Sequence, residues 1–398
     1  MIGVVFNEKL FLDHNSGEPI KKIKTNSQKT YIYTTRSQQV DLLEIKRIIN
    51  FLYSIKCRHK LSFFPIVIDL GKNIVIEDKL TYILLECICY HLIVKERCNL
   101  SLRFHCPHTI YNEGIKVSYL KCIDGTKKGM ATFVDHFNFE IRGPHFRKIV
   151  QSEDFDGEQT ARIVQDIDSF LKFNLIQKSY GERVSEIVGE LLDNSLEHSM
   201  SDCLIDIDVT KNYEKNSDPS SENLYCGVNI VVLNFSDILL GNGVAKKIQY
   251  TISLGRTDQQ VNQRYLDVLG AREYHSNYWN ENYCESDFNI IASFQHKISC
   301  RLDRFSTGGT GLTRLIRGLE DESDAYECYM LSGKRKVNFI KSMLTYDENN
   351  WVGFNLEGDF LGHIPSPECI TNSSLYFPGT AYNLNFVMKR EADYGTKN

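Results

Sequence analysis

The sequence predicts an α+β protein in two parts: a smaller α/β domain over residues 1–150, and a larger one over 151–398 in which a mixed sheet is covered by helices. Three observations predict it. Short β-branched runs alternate with helical periods in the first part, as in a βαβ unit. An amphipathic helix with a line of polar residues along its edge opens the core of the second part and leads into alternating strands. A glycine-rich turn then starts a further amphipathic helix ahead of the last strands.

At 398 residues the chain can bury two or three sizeable cores, and 42% hydrophobic with 24% charged residues is ordinary globular composition. A net charge of −5 gives no argument for nucleic acid or an anionic membrane. Met1–Phe6 meets Asn7, Glu8 and Lys9 too soon for a signal peptide, and no stretch of ~20 apolar residues predicts a membrane span. The twelve cysteines are scattered, several in apolar runs such as Cys87 and Cys89, which fits reduced core thiols and a cytoplasmic setting. His105-Cys-Pro-His108 has no second cluster at ligand spacing and reads as a strand-end turn, not a zinc site.

Taken in order, Lys29–Thr35 alternates like a strand and Gln39–Cys57 has helical period. Phe64–Leu70 is a buried β-branched strand, Asp78–Lys95 a helix and Leu100–His105 a strand. No glycine-rich phosphate loop occurs here. Ala131–Arg142 reads as a strand, Gln151–Glu158 as an acidic loop and Asp166–Lys178 as a helix. In Tyr180–Ser199, Val184, Ile187, Val188, Leu191, Leu192 and Leu196 repeat with helical period, while Glu190, Asn194 and His198 stand at i, i+4 and i+8 on its edge. An amide oxygen there can ligate a hard cation, and a carboxylate one turn away can take a proton from water. The same line also suits a partly buried helix with a polar edge.

Cys203–Val209 and Tyr225–Asn234 follow as strands around a polar loop, Asn212–Asn223. Gln259–Ala271 and Phe288–Ser299 are helical, and Lys246, Lys247, Arg301 and Arg304 are candidate phosphate contacts or plain surface charge. Thr313–Leu319 is the helix after the glycine turn. Tyr326–Ser332 and Lys336–Leu344 read as paired strands, Asn349–Ser374 as a loop-rich insertion and Phe377–Phe386 as the final strand.

Glu190-Leu-Leu-Asp-Asn194-Ser-Leu-Glu-His198 resembles the N-box of the GHKL ATPase superfamily, which includes DNA gyrase, Hsp-type chaperone ATPases, sensor histidine kinases and anti-sigma-factor kinases. The last two groups are the most similar in this motif. Ser306-Thr307-Gly308-Gly309-Thr310-Gly311-Leu312 matches the G2 box, and Gly379-Thr380 resembles the closing Gly-Thr. Over residues 160–390 the resemblance implies a Bergerat-type α/β sandwich that binds ATP and Mg²⁺. Asn194 would then hold the magnesium, Glu190 would act as base or water-positioning group, and His198 would support phosphate or water. The Gly308–Gly311 amides would hold phosphates, with Thr380 beneath the adenine.

Val232-Leu-Asn234-Phe-Ser236-Asp237-Ile238 departs from the family's Asp-x-Gly-x-Gly adenine box. Asn234 takes the place of the aspartate and Ser236 that of the first glycine, which leaves base preference open. Asp237 is either a base contact or a turn cap. Residues 239–305 would be a long lid. In the first domain, Ile66–Leu70 followed by Ile76–Leu80 loosely resembles STAS-type regulatory domains.

The expected activity is slow ATP hydrolysis that drives lid closure and regulates a protein partner or a second copy of the chain. Alternatives are a serine protein kinase of anti-sigma-factor type and a non-catalytic nucleotide sensor. No upstream helical hairpin with a phosphoacceptor histidine favours the histidine-kinase form.

Overall fold

The computed structural model describes residues 15, 17, 19–20, 23, 25–26, 29–71, 74–105, 118–154, 157–174, 176–211, 225–254, 263–298, 311–322 and 328–389. The N-terminal part runs β1 (Tyr31–Thr34), β2 (Gln39–Val40), α1 (Leu42–Lys56), β3 (Ile66–Asp69), β4 (Val75–Ile76), α2 (Lys79–Val94) and β5 (Leu100–Arg103). Strands β1, β3 and β5 form a parallel sheet in that order, with a short parallel β2–β4 pair beside it. Both helices are capped by aspartates: Asp41 accepts from the Glu44 amide and Asp78 from the Thr81 amide, each at 2.7 Å. Helix α2 is buried from Lys79 to Leu92, which fits its all-round apolar sequence.

Residues 131–142 are not one strand. Helix α3 (Lys127–Asn138) ends where β6 (Phe139–Arg142) begins, because Phe133 and Phe137, one helical turn apart, share one buried face. Strands β6 and β7 (His145–Val150) form a hairpin that joins the larger sheet, so that sheet begins before residue 150.

The chain continues through α4 (Gly157–Phe173), α5 (Lys178–Asp193), β8 (Cys203–Lys211), β9 (Tyr225–Asn234), α6 (Asn242–Leu254), α7 (Gln263–Ser276), α8 (Glu285–Ser293), α9 (Gly311–Glu322), β10 (Tyr329–Asn338) and β11 (Ile370–Lys389). The six-stranded sheet has the order β10-β11-β9-β8-β7-β6, and every pairing in it is antiparallel, not mixed as expected. The paired strands expected at 326–332 and 336–344 are one strand, β10, with register shifts around Gly333. The loop 212–224 lies outside the described residues.

Alternation along the strands separates two cores. Cys226, Val228, Ile230 and Val232 of β9 face a core shared with α4, α5 and α9, while Val231, Leu233 and Phe235 face α1 and α2. The N-terminal helices therefore lie between the small sheet and the large one.

That second interface carries a buried ionic cluster. Lys79 of α2 reaches Asp206 and Asp208 of β8, each at 2.5 Å. Arg147 of β7 joins Asp206 to Glu86 of α2, again at 2.5 Å, and the His145 ring lies 3.0 Å from Asp206. Tyr329 donates to Asp78 at 2.6 Å, and the Leu80 amide to Asn383 at 3.2 Å. Burial works against the charge on Asp206, but Arg147, Lys79 and His145 outweigh it and hold its carboxyl well below the usual range.

The described part of the expected lid is a packed helical layer. Val244, Ile248, Tyr265 and Phe288 share a core with Trp351, Phe354 and Phe360 of the expected insertion. Arg264 stacks 3.7 Å from the Trp351 ring centroid and donates to the Asn349 and Asn350 carbonyls at 2.8 and 2.6 Å. Gln295 bonds both backbone groups of Val352. Such contacts do not suit a segment that swings free as one body.

Candidate functional site

Helix α5 buries Val184, Ile187, Val188, Leu191 and Leu192, which leaves Glu190 at the border of the core with 29% of its side chain exposed. Gly189 lies on the same helix because a Cβ there would meet Val164 of α4 at 2.6 Å. Thr160 donates to Asp193 at 2.7 Å and ties the two helices together. From Asn194 to His198 the backbone widens into a π turn. The spacing that aligned His198 with Glu190 and Asn194 assumes an α-helix throughout, and the His198 side chain lies outside the described residues. Asn194 is half-buried and makes no side-chain hydrogen bond among the described residues.

Helix α9 packs against α5. Arg314 approaches Glu190 at 3.1 Å and Glu186 at 3.7 Å, while Gly318 sits where a Cβ would meet Ile187 at 2.6 Å. Arg314 is thus level with Glu190 and Gly318 with Ile187, so the helices run antiparallel. One turn back from Arg314, Gly311 opens α9 at the Asn194 end of α5. Leu312 packs into the core and anchors that end. Thr307, Gly308, Gly309 and Thr310 lie outside the described residues, as do Arg301 and Arg304.

The sheet brings its own residues to the same end. Cys203, Asn234 and Thr380 stand side by side in register at the start of β8, the end of β9 and within β11. By alternation with Val232 and Tyr382, Asn234 and Thr380 face the α5 side. Asn234 is buried and donates to Ser201 at 2.9 Å. Ser236 donates to the Ser199 carbonyl at 3.0 Å, which fastens the loop after β9 to the turn after α5. Gly379 has φ of 101°, and a Cβ would lie 2.2 Å from the Asn234 carbonyl oxygen. Only glycine allows the strands to meet this closely. Asp237 is exposed on the bend beyond.

Glu190 therefore meets the first turn of α9, and Asn234 and Thr380 lie at the end of the sheet to which the turn after α5 is fastened. Burial raises the Glu190 pKa above the usual carboxylate range; Arg314 opposes this, and Asp193, Glu186 and Glu197 add to it. Sequence reasoning missed Arg314 and the two packing glycines. The glycines did leave a signal, since each costs ~1 kcal/mol relative to alanine inside a helix and so needs a packing reason.

Two other candidates have different places. Lys247 is buried with its ammonium 5.4 Å from the Tyr265 ring centroid. His105 pairs with Asp69 at 2.7 Å, and His108 lies outside the described residues. His145, Asp206 and Asp208 have the spacing of a metal site, but the Lys79 ammonium already supplies their cation. Comparison with protein-family models, curated proteins and solved structures gives no match to the chain. Among the described residues no helix is long and apolar enough to cross a membrane.

Proposed function

We propose that the larger domain is a GHKL-type, Bergerat-like ATP-binding domain that hydrolyses ATP slowly and signals its nucleotide state to a protein partner or a second copy of the chain. The observation that carries this reading is the packing of α5, with Glu190 and Asn194, against the first turn of α9, together with a sheet end whose Asn234–Thr380 pair faces the α5 side. These elements are separated by long stretches of chain.

The residues fit a magnesium nucleotide. Asn194 offers an oxygen that no side-chain hydrogen bond occupies, and Asp193, Glu186 and Glu197 crowd negative potential around Glu190 that a cation would relieve. Mg²⁺ at Asn194 would supply charge neutralisation for the phosphates. The first amides of α9 would bind phosphate oxygens with the helix field behind them. Glu190, whose pKa burial raises, stands at the border of the core where a carboxylate can accept a proton from water. Asn234 keeps an amide oxygen for a base edge after donating to Ser201. Since α6–α8 belong to a packed layer, any nucleotide-driven movement would have to be smaller than the swing of a whole lid.

One observation favours a second reading, a nucleotide sensor without turnover: Arg314 engages the Glu190 carboxylate. Two measurements separate the readings. Millimolar Mg-ATP should raise the melting temperature of the wild type, and Asn194→Ala should remove the magnesium-dependent part of that shift. Glu190→Gln should keep ATP affinity and lose ~10²–10⁴-fold in phosphate release. No thermal shift would end the nucleotide reading, and binding without turnover in the wild type would favour the sensor. Phosphate transfer to a serine on a partner would instead identify a protein kinase.

A further inference from the structure

The N-terminal domain has a concavity that the ATP reading does not use. Its volume is about 400 Å³, and its walls include Lys29, Tyr31, Arg58, His59, Phe63 and Phe64. It lies against β1 and the end of α1, on the small sheet. The core of α1, α2 and the six-stranded sheet separates it from the α5 site.

The walls combine aromatic faces with positive charge. Phe63 is 61% exposed, which packing does not explain. Its ring stacks on His59 with centroids 5.3 Å apart and planes at 14°. Phe64 meets Phe63 edge-on at 4.5 Å and Tyr31 at 5.4 Å, which braces the aromatic wall from behind. Arg58 is tethered by its bond to the Ile20 carbonyl at 2.5 Å. Lys29 has φ of 59°, in the left-handed region that a residue other than glycine seldom adopts. The turn that holds it is closed by the Lys29 amide on the Asn26 carbonyl at 3.0 Å and by the Thr30 amide on the Asn26 side chain at 2.9 Å. Among the described residues lining the concavity there is no carboxylate.

The geometry points to a binding site for a nucleoside monophosphate, separate from the ATP site. An exposed ring offers a face on which a base stacks, and Arg58 and Lys29 supply charge for one phosphate. Two cationic side chains, with no carboxylate among the described lining residues, disfavour a cationic ligand. The volume lies near the lower end of small-molecule pockets, with room for one base. A nucleic-acid strand calls for successive stacking faces along a groove, and a membrane surface for a protruding apolar face. One braced wall in a concavity fits neither as well.

The test is equilibrium dialysis of the full chain against AMP and GMP in EDTA, which leaves no magnesium for the Asn194 site. Saturable binding of one nucleotide per chain is expected, weakened about tenfold in Phe63→Ala and in Arg58→Gln. Both side chains are exposed, so both variants should keep the wild-type circular dichroism spectrum and melt. Asn194→Ala should bind normally. Binding that ignores Phe63 and Arg58, binding lost in Asn194→Ala, or no binding at millimolar nucleotide would overturn the assignment. So would retention of anionic vesicles or a single-stranded oligonucleotide through Phe63 when neither mononucleotide binds.

Discussion

Replacing Arg147 by methionine keeps most of the side-chain volume and removes the charge that joins α2 to the large sheet. Arg147 is 3% exposed, and its guanidinium contacts Glu86 and Asp206, each 1% exposed. Without it Asp206 keeps Lys79 and His145, but Glu86 is left with the Tyr82 hydroxyl, which donates to it at 2.6 Å. Breaking a buried pair by removing one partner costs ~3–5 kcal/mol. Lys148, next on the same strand, is the internal control. It meets Asp166 at 3.1 Å with the two side chains 27% and 49% exposed, so Lys148→Met should cost under ~1 kcal/mol.

Urea unfolding followed by circular dichroism and by tryptophan fluorescence measures both effects. Trp279 and Trp351, the two tryptophans, both lie in the C-terminal half, whereas circular dichroism reports every helix. Because α2 packs against the large sheet, the two signals should change together in the wild type. In Arg147→Met the midpoint should fall. Burial already raises the Glu86 pKa, with Arg147 the main opposing influence. In the variant Glu86 should therefore bind its proton more tightly folded than unfolded, so stability is lost as pH rises through that window. The gap to wild type should accordingly narrow toward acid pH. Equal midpoints for the two substitutions would refute the claim that this cluster holds the domains together.

Gly318→Val places a branched side chain where Ile187 already stands, 2.6 Å from the added Cβ. It should cost ~1–3 kcal/mol and shrink the ATP-induced thermal shift; an unchanged shift would separate α9 placement from binding. Arg314→Gln removes the cation that opposes the upward displacement of the Glu190 pKa. A base works only when deprotonated, so the acid limb of the hydrolysis rate should move to higher pH, and a limb that stays put would exclude Glu190 as that base. Asn234→Asp should sharpen the preference for ATP over GTP in competition binding. Strong rejection of GTP by the wild type would show that another residue reads the base.

Local periodicity made much of the secondary structure legible. The apolar repeat of α5, the aspartate caps of α1 and α2, and the alternation of β8 and β9 depend on neighbours within a turn or two. The same locality explains the misreading at 131–142, where Phe133, Val134 and Phe137 suit a strand by composition and a helix by spacing. Glu190 and Asn194 were visible as site candidates because one helix carries both. Arg314 was not, since its pairing with Glu190 depends on the register of two helices. The ionic cluster was also hidden: Lys79, Glu86, Arg147, Asp206 and Asp208 each resemble surface charge in sequence, and a helix and two strands from distant stretches bring them together. The sequence by itself determined the elements and the polar line on α5, because these follow from short-range geometry. Only the tertiary structure decided that the N-terminal helices cover one face of the large sheet and that the described part of the expected lid is packed, because burial of distant surfaces against one another is not encoded in local period.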